Sequence, residues 1–262
     1  MIKFCSLYSG SSGNSLFIET ENTKILVDAG ESAKKITEAL SLINVDIKSI
    51  DAILVTHEHQ DHIKGLGTLS KKYHIPVYAN SKTWDAMPEQ AAKVAVENQQ
   101  KFNENEYFEI KDIKIFPFST PHDAASPCGF NVFNGSQKIS IATDLGHTSS
   151  ELIHRLEDSS FLLLEANYDP NILKCSSYPY LLKKRIAGPN GHLANQDASK
   201  IISYLSHNGL SNVMLGHLSK ENNFPELAYK TVIDQLIDDQ LTPSNIHISV
   251  AKRQGPSNII TI

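Results

Sequence analysis

Four groups able to hold a metal ion fall within six residues of this 262-residue sequence: His57, His59, Asp61 and His62, in the stretch DAILVTHEHQDHIKGL. Imidazole and carboxylate suit zinc, manganese and iron, and so short a loop can turn His57 and His59 toward one ion while Asp61 and His62 face a second. A solvated polar loop after a strand accounts for one or two such residues, not for three histidines and an aspartate together. Three more positions repeat the arrangement of an apolar run ending on a ligand: IKIFPFSTP leads to His122, KISIAT to Asp144 and NVMLG to His217. Taken singly, each reads equally well as a satisfied structural residue; taken together, strand ends along one sheet edge would converge, with rigid strands behind them. The expected centre is bimetallic, with His57, His59 and His122 on one ion, Asp61, His62 and His217 on the other, and Asp144 bridging. Two divalent ions roughly 3.5 to 4 Å apart can share a water, lower its pKa toward about 7 and hold substrate oxygens, so the chemistry is hydrolysis.

The apolar runs before these residues show what must hold them. Short β-branched runs at residues 25–27, 52–55, 113–118, 139–142, 161–164 and 213–215 are expected strands. Between them, residues 33–42, 62–73, 181–186, 197–206 and 226–238 have helix-compatible apolar spacing, with Asn195 and Pro225 as start signals. The alternation is that of an α/β protein. Strand-like residues 2–7 and 16–19 flank the loop SGSSGNS, and the turn-forming ETENT follows, which predicts an antiparallel meander. GFNVFNGSQKISIAT repeats the pattern around Asn134-Gly135, a strong hairpin signal, and predicts a second meander. Two sheets, each carrying outer helices, is the economical architecture.

No repeat, low-complexity tract or linker divides the chain, so residues 1–262 are expected to form a single domain. With 40% hydrophobic and 20% charged residues it has material for a sizeable core. A formal net charge of −5 argues against binding through a global positive field while leaving room for a local basic groove. Cys5, Cys128 and Cys175 are far apart and odd in number, which fits neither a disulfide framework nor a thiolate zinc site. With no apolar segment near the roughly 20 residues of a membrane span, and no leader-like N-terminus, a cytoplasmic protein without a membrane partner is expected. His74, His154, His207 and His247 lack ligand-like neighbours and read as surface or packing residues, and His147 follows Asp144 closely enough to support a ligand.

HEHQDH, with His122, Asp144 and His217 in that order, resembles the five-part ligand signature of the metallo-β-lactamase superfamily, and the match spans residues 55–217. The resemblance implies an αβ/βα four-layer sandwich, two mixed β-sheets with outer helices, around a dinuclear centre at one edge. It also makes Asp61 a candidate general base as well as a ligand. SGSSGNS, LLLEANYD, NGHLANQDA and LGHLSKENN resemble the YycJ/WalJ-like branch, whose members are linked to DNA hydrolysis. The implied cofactors are two divalent ions, zinc or manganese, with iron a third option.

The superfamily fold supports thioester, lactam, lactone and phosphodiester hydrolysis and redox chemistry, so other residues must choose the substrate. Flavodiiron relatives carry a glutamate where His59 stands, which argues against the redox branch. Glu165 in LLLEAN and His192 in NGHLANQDA resemble the Glu-Ala and His-Ser-Thr elements of the endonucleases that process transfer RNA 3′ ends, although Leu-Ala follows His192 here. A phosphodiester's leaving alkoxide needs a proton, which an imidazolium held by a carboxylate can deliver, whereas a thioester leaves as a stable thiolate. Tyr178 and Tyr180 interleave with Lys183, Lys184 and Arg185, offering rings for bases and cations for phosphates, or alternatively the charged face of an amphipathic helix. Ser11, Ser12 and Asn14 near the N-terminus and Lys220, Glu221 and Asn222 after His217 are candidate substrate contacts. The expected function is a dinuclear-metal phosphodiesterase, a nuclease acting on DNA rather than RNA. The alternatives are a thioester or lactone hydrolase of the glyoxalase II type and a non-catalytic metal-binding interaction module.

Overall fold

Apolar runs punctuated by turn residues form the framework of the protein, whose computed structural model describes residues 1–262. The first meander forms as expected: β1 (Lys3–Tyr8), β2 (Ser15–Glu19) and β3 (Lys24–Val27) pair antiparallel in sequence order. Beyond it the pairing becomes parallel, because each strand is reached through a helical crossover. β4 (Ala52–Leu54), β5 (Val77–Ala79) and β6 (Gln99–Lys101) add one after another beside β3. A second antiparallel meander follows in β7 (Phe108–Ile110), β8 (Ile113–Ser119) and β9 (Cys128–Asn134). It ends at Gly135, whose φ of 60° suits a residue without a side chain. β10 (Gln137–Ala142), β11 (Phe161–Glu165), β12 (Asn212–Gly216) and β13 (His247–Val250) then run parallel to one another in that order. The short β14 (Ile260–Thr261) returns to pair with β1. The strand order is thus that of two mixed seven-stranded sheets with accompanying helices, the fold class expected from the sequence.

The chain divides into two compact units, Met1–Ser119 with Ala124–Gln137 and Lys252–Ile262, and Thr120–Asp123 with Lys138–Ala251. In the first, Ile36, Ala39 and Leu40 on the helix Ala33–Leu42 pack into a core with Leu26, Ile53, Val77 and Trp84. In the second, β10, β11 and β12 are buried along their length, as expected of parallel strands covered on both faces.

The helix expected over residues 62–73 is two helices, Gln60–Ile63 and Leu66–Tyr73. Between them Gly65 donates its N–H to the Ala29 carbonyl at 2.8 Å, and a Cβ there would lie 2.3 Å from the Glu31 carbonyl. The break is a close backbone approach that presses the ligand-bearing turn against the loop after β3. Strands β5, β6, β7, β13 and β14 are not anticipated from the sequence, since runs of two to four residues carry too little periodicity. No helix is long and apolar enough to cross a membrane.

Candidate metal centre

In the first unit the candidate ligands sit where β4 gives way to a helical turn. His57 is buried, His59 is the N-cap of the helix Gln60–Ile63, and Asp61 and His62 lie within that single turn. The His57 and His59 rings meet edge-on at 4.6 Å, and the His57 and His62 rings are 4.1 Å apart. Beneath them lies a residue that the sequence reading passes over, Asp28. Because β3 and β4 pair in parallel with Val27 opposite Leu54, Asp28 emerges level with the start of the histidine loop. Its Oδ1 accepts from the Thr56 N–H at 2.9 Å, and its Oδ2 accepts from the Thr56 hydroxyl at 2.8 Å and from His62 Nδ1 at 2.7 Å. The Thr56 hydroxyl, having given its proton to Asp28, accepts from His57 Nδ1 at 3.0 Å. Asn14 closes the arrangement from the N-terminal loop, donating Nδ2 to His62 Nε2 at 3.1 Å and to Asp61 Oδ2 at 3.3 Å.

In the second unit the candidates come from separate segments that the parallel register aligns. Ala142 is opposite Leu164, and Glu165 is opposite Gly216, so Asp144, Glu165 and His217 emerge together at the carboxyl ends of β10, β11 and β12. Such ends are where open α/β sheets gather their functional groups. One ligand atom each from Asp144, Glu165, His192 and His217 falls within 4.8 Å of the others. His122 stands beside them, its Nε2 3.5 Å from Asp144 Oδ1 and its ring 5.2 Å from that of His192. Asp28, Asp144 and His217, each just past a strand, have φ of 63°, 58° and 55°. Non-glycine residues in this left-handed region cost roughly 1–3 kcal/mol each and persist where the surroundings over-determine them, commonly at functional sites.

Glu165 is completely buried, and all four of its acceptor positions are used. Its Oε1 accepts from His192 Nδ1 and His217 Nδ1, both at 2.8 Å, and its Oε2 accepts from the Leu145 N–H at 2.7 Å and the Leu193 N–H at 3.2 Å. Burial alone would raise its pKa, but the two imidazoles prevail and hold the carboxyl well below the usual carboxylate range. For His192 burial opposes the charged ring, and the Glu165 charge and hydrogen bond outweigh it and raise the pKa. For His122 burial wins over the nearby carboxylates and pushes the pKa down, toward the neutral imidazole that metals bind.

The donor set fits a divalent cation on a further ground. His57, His62, His122 and His217 each turn Nδ1 to a protein oxygen, respectively Thr56 Oγ1, Asp28 Oδ2, the Gly191 carbonyl and Glu165 Oε1. These oxygens require an Nδ1–H, which leaves the lone pair on Nε2; metal-ligating histidines are commonly oriented in this way by an outer hydrogen bond. Divalent-metal binding is therefore the property for which both clusters are chemically suited.

The remaining candidates divide by burial. Lys220 is exposed beside Glu221, and Ser12 lies on an exposed turn. Asn222 is completely buried and donates its N–H and Nδ2 to the Ser219 hydroxyl, which leaves it no solvent-facing edge for a substrate contact. Asn14, a candidate substrate contact, ties Asp61 and His62. His147 donates its Nδ1–H to the Pro189 carbonyl at 2.7 Å and so anchors the loop before His192. His154 pairs with Glu157 on the surface. Besides Asp28, the sequence reading misses Thr56 and Asn167, whose Nδ2 donates to the His217 carbonyl at 2.8 Å. Asp28 has a sequence signal: ILVD is another apolar run ending on a ligand-type residue.

Comparison with known proteins adds four findings. Residues 8–174 match the family model described as the metallo-beta-lactamase superfamily. The chain is 42% identical over 241 residues to exodeoxyribonuclease WalJ of Streptococcus pneumoniae serotype 2 (strain D39 / NCTC 7466), covering 91% of this chain and 90% of that protein. It is 36% identical over 239 residues to exodeoxyribonuclease YycJ of Bacillus anthracis, with 91% and 90% covered. Among solved structures, the metallo-beta-lactamase fold protein YhfI from Bacillus subtilis superimposes with a TM-score of 0.72 over 98% of each chain at 17% identity, a likeness of fold.

Proposed function

The chain belongs to the metallo-β-lactamase superfamily, in its YycJ/WalJ-like branch, and from that premise we propose that it is a metal-dependent phosphodiesterase, an exonuclease acting on DNA. The relatives named as exodeoxyribonucleases support the substrate, and the Glu165–His192 pair carries the choice of chemistry. The residues that would hold divalent ions are His57, His59, Asp61 and His62 of the first unit and His122, Asp144 and His217 of the second. Zinc and manganese suit this mixed imidazole and carboxylate set best. When bound, such ions supply Lewis acidity that brings a water's pKa toward about 7 and stabilises charge on a phosphate.

The protein's own groups then divide the work. His192 is the proton donor to the leaving 3′ or 5′ oxygen, because Glu165 keeps its ring charged against the opposing effect of burial. Glu165 is a positioning residue: completely buried, it holds His192 and His217 in fixed orientations and touches no substrate. Asp61, partly exposed and tied to Asn14, is the carboxylate able to orient or accept the proton of the attacking water. Asp28 and Thr56 hold the His57 and His62 rings in the tautomer that donates an Nε2 lone pair.

The test is a substrate panel with protein loaded with Mn²⁺ or Zn²⁺: end-labelled single- and double-stranded DNA and RNA, bis-p-nitrophenyl phosphate and a glutathione thioester. Stepwise shortening of DNA from an end is the expected result. Thioester cleavage with DNA and bis-p-nitrophenyl phosphate left intact would overturn the proposal.

A further inference from the structure

Beyond Glu165 the chain runs on to Tyr168, which bridges to Ala194, two residues after His192. The Asn167 N–H donates to the Leu193 carbonyl at 2.8 Å, and the Asn195 N–H to the Tyr168 carbonyl at 2.9 Å, so the two segments carrying the proposed proton donor and its carboxylate continue side by side. Tyr168 is only 7% exposed and packs with Leu173, Ala194, Tyr178 and Ile186 into a small separate core. Against it opens a cavity of about 640 Å³, lined by Tyr168, Tyr178 and Tyr180 together with Lys174, Lys183 and Lys184, and by no carboxylate. That volume lies within the roughly 300–1,000 Å³ of small-ligand sites.

From this arrangement we infer that the cavity is a subsite for a nucleotide of a single DNA strand, seated beside the scissile linkage, with tyrosine rings for the base and lysine ammonium groups for the phosphates. The inference rests on the nuclease reading and deepens it. Bases stack on aromatic faces whatever their sequence, and phosphates are held by cations, so tyrosine and lysine side by side are the minimum of a strand-binding platform. In a chain of net charge −5, three lysines around one cavity mark a local reversal of sign. A groove for an apolar protein segment gains nothing from three ammonium groups. The three residues from Glu165 to Tyr168 span at most about 10 Å even when fully extended, which places the cavity next to the Glu165–His192 pair.

The parts also differ in how they are tied to the fold. Lys183 donates to the Lys174 and Ser176 carbonyls at 2.8 and 2.6 Å, fastening the helix Tyr180–Ile186 to the preceding turn. Tyr180, 76% exposed, and the exposed side chains of Lys174 and Lys184 can meet a strand without disturbing the fold.

Two variants of the full-length, metal-loaded protein test the subsite: Tyr180→Ala, and the double variant Lys174→Ala/Lys184→Ala. The first measurement is the ratio of kcat/KM on a short labelled single-stranded oligodeoxynucleotide to that on bis-p-nitrophenyl phosphate, which is too small to fill the cavity and the scissile site at once. The second is anisotropy binding of a cleavage-resistant phosphorothioate strand as a function of salt. Tyr180→Ala should lower the ratio by about 5- to 100-fold, mainly through KM, the range spanned by loss of one base–aromatic stack. The lysine pair should reduce the slope of log affinity against log salt by about 1.4, two phosphate contacts at about 0.7 each on a single strand. If both variants keep the wild-type ratio, affinity and salt slope, the subsite is overturned and the cavity is left to a protein partner. If the wild type itself cleaves neither DNA nor bis-p-nitrophenyl phosphate, it is the nuclease reading that fails, and the phosphorothioate binding still decides whether the cavity holds a strand.

Discussion

The histidine loop of the first unit and the strand-end cluster of the second each hang their imidazoles on one buried carboxylate, Asp28 in the first and Glu165 in the second. They differ in reach. Asp28 braces a loop in which His57, His59, Asp61 and His62 are already neighbours in sequence, and needs only the parallel pairing of β3 with β4 to arrive beneath it. Glu165 gathers Leu145, His192, Leu193 and His217 from segments up to 52 residues away, and they have no relation until β10, β11 and β12 are in register. A local cluster is robust to what happens elsewhere in the chain, whereas a long-range one exists only in the folded sheet. The lesson is that both units offer ligand-type residues, and the second adds His192, whose pKa the Glu165 charge and hydrogen bond raise against the opposing effect of burial.

The sharpest way to break this division is His192→Ala. If the strand-end half delivers the proton, single-turnover DNA cleavage should fall by about 10²–10⁴-fold, the usual contribution of a general acid. Metal content, measured by elemental analysis, should stay at the wild-type level; a loss of metal would make His192 a ligand and erase the distinction.

Glu165→Gln should act on both His192 and His217, and its signature is in the pH profile. His192 has a raised pKa, so its protonated form is present below that value and is lost as the pH rises through it. The alkaline fall in kcat/KM on DNA should therefore begin at lower pH in the variant, since the neutral amide no longer supports the charged ring. An unchanged alkaline limb would show that Glu165 serves only to hold the fold.

Asp28→Asn should weaken metal affinity by about 10–100-fold, the typical effect of removing the hydrogen bond that orients a ligating histidine. A competition titration against a chromophoric chelator measures this, and activity should return at excess metal if the local loop keeps its shape. The smallest effect is expected of Lys220→Ala: its side chain is exposed next to Glu221, so KM for DNA should change by no more than a few fold at moderate salt.

The same contrast explains what can be read from the sequence. The histidine loop is legible because ligand type and spacing are local properties, and one six-residue string states most of it. His122, Asp144 and His217 are legible by a weaker rule, apolar runs that end on ligand-type residues, and that rule extends to Asp28 although the sequence reading does not apply it there. Asn14 and Asn222 stand out in the sequence for one reason. A polar residue next to a motif looks like a substrate contact, and only burial shows that Asn14 ties Asp61 and His62 while Asn222 satisfies the turn at Ser219. The division of the 62–73 helix is equally invisible, since it follows from the approach of Gly65 to the Ala29 carbonyl.

The order of amino acids alone is enough to specify the longer strands, the first meander and the identity of the ligand-type residues, because strand periodicity, turn chemistry and donor type act over a few neighbouring positions. Folding decides the rest: which carboxylate each histidine faces, which ring nitrogen keeps its lone pair, and whether tyrosines and lysines far from any motif line one cavity. Those are relations across β-sheet register and burial, and they come into being only when distant segments are packed side by side.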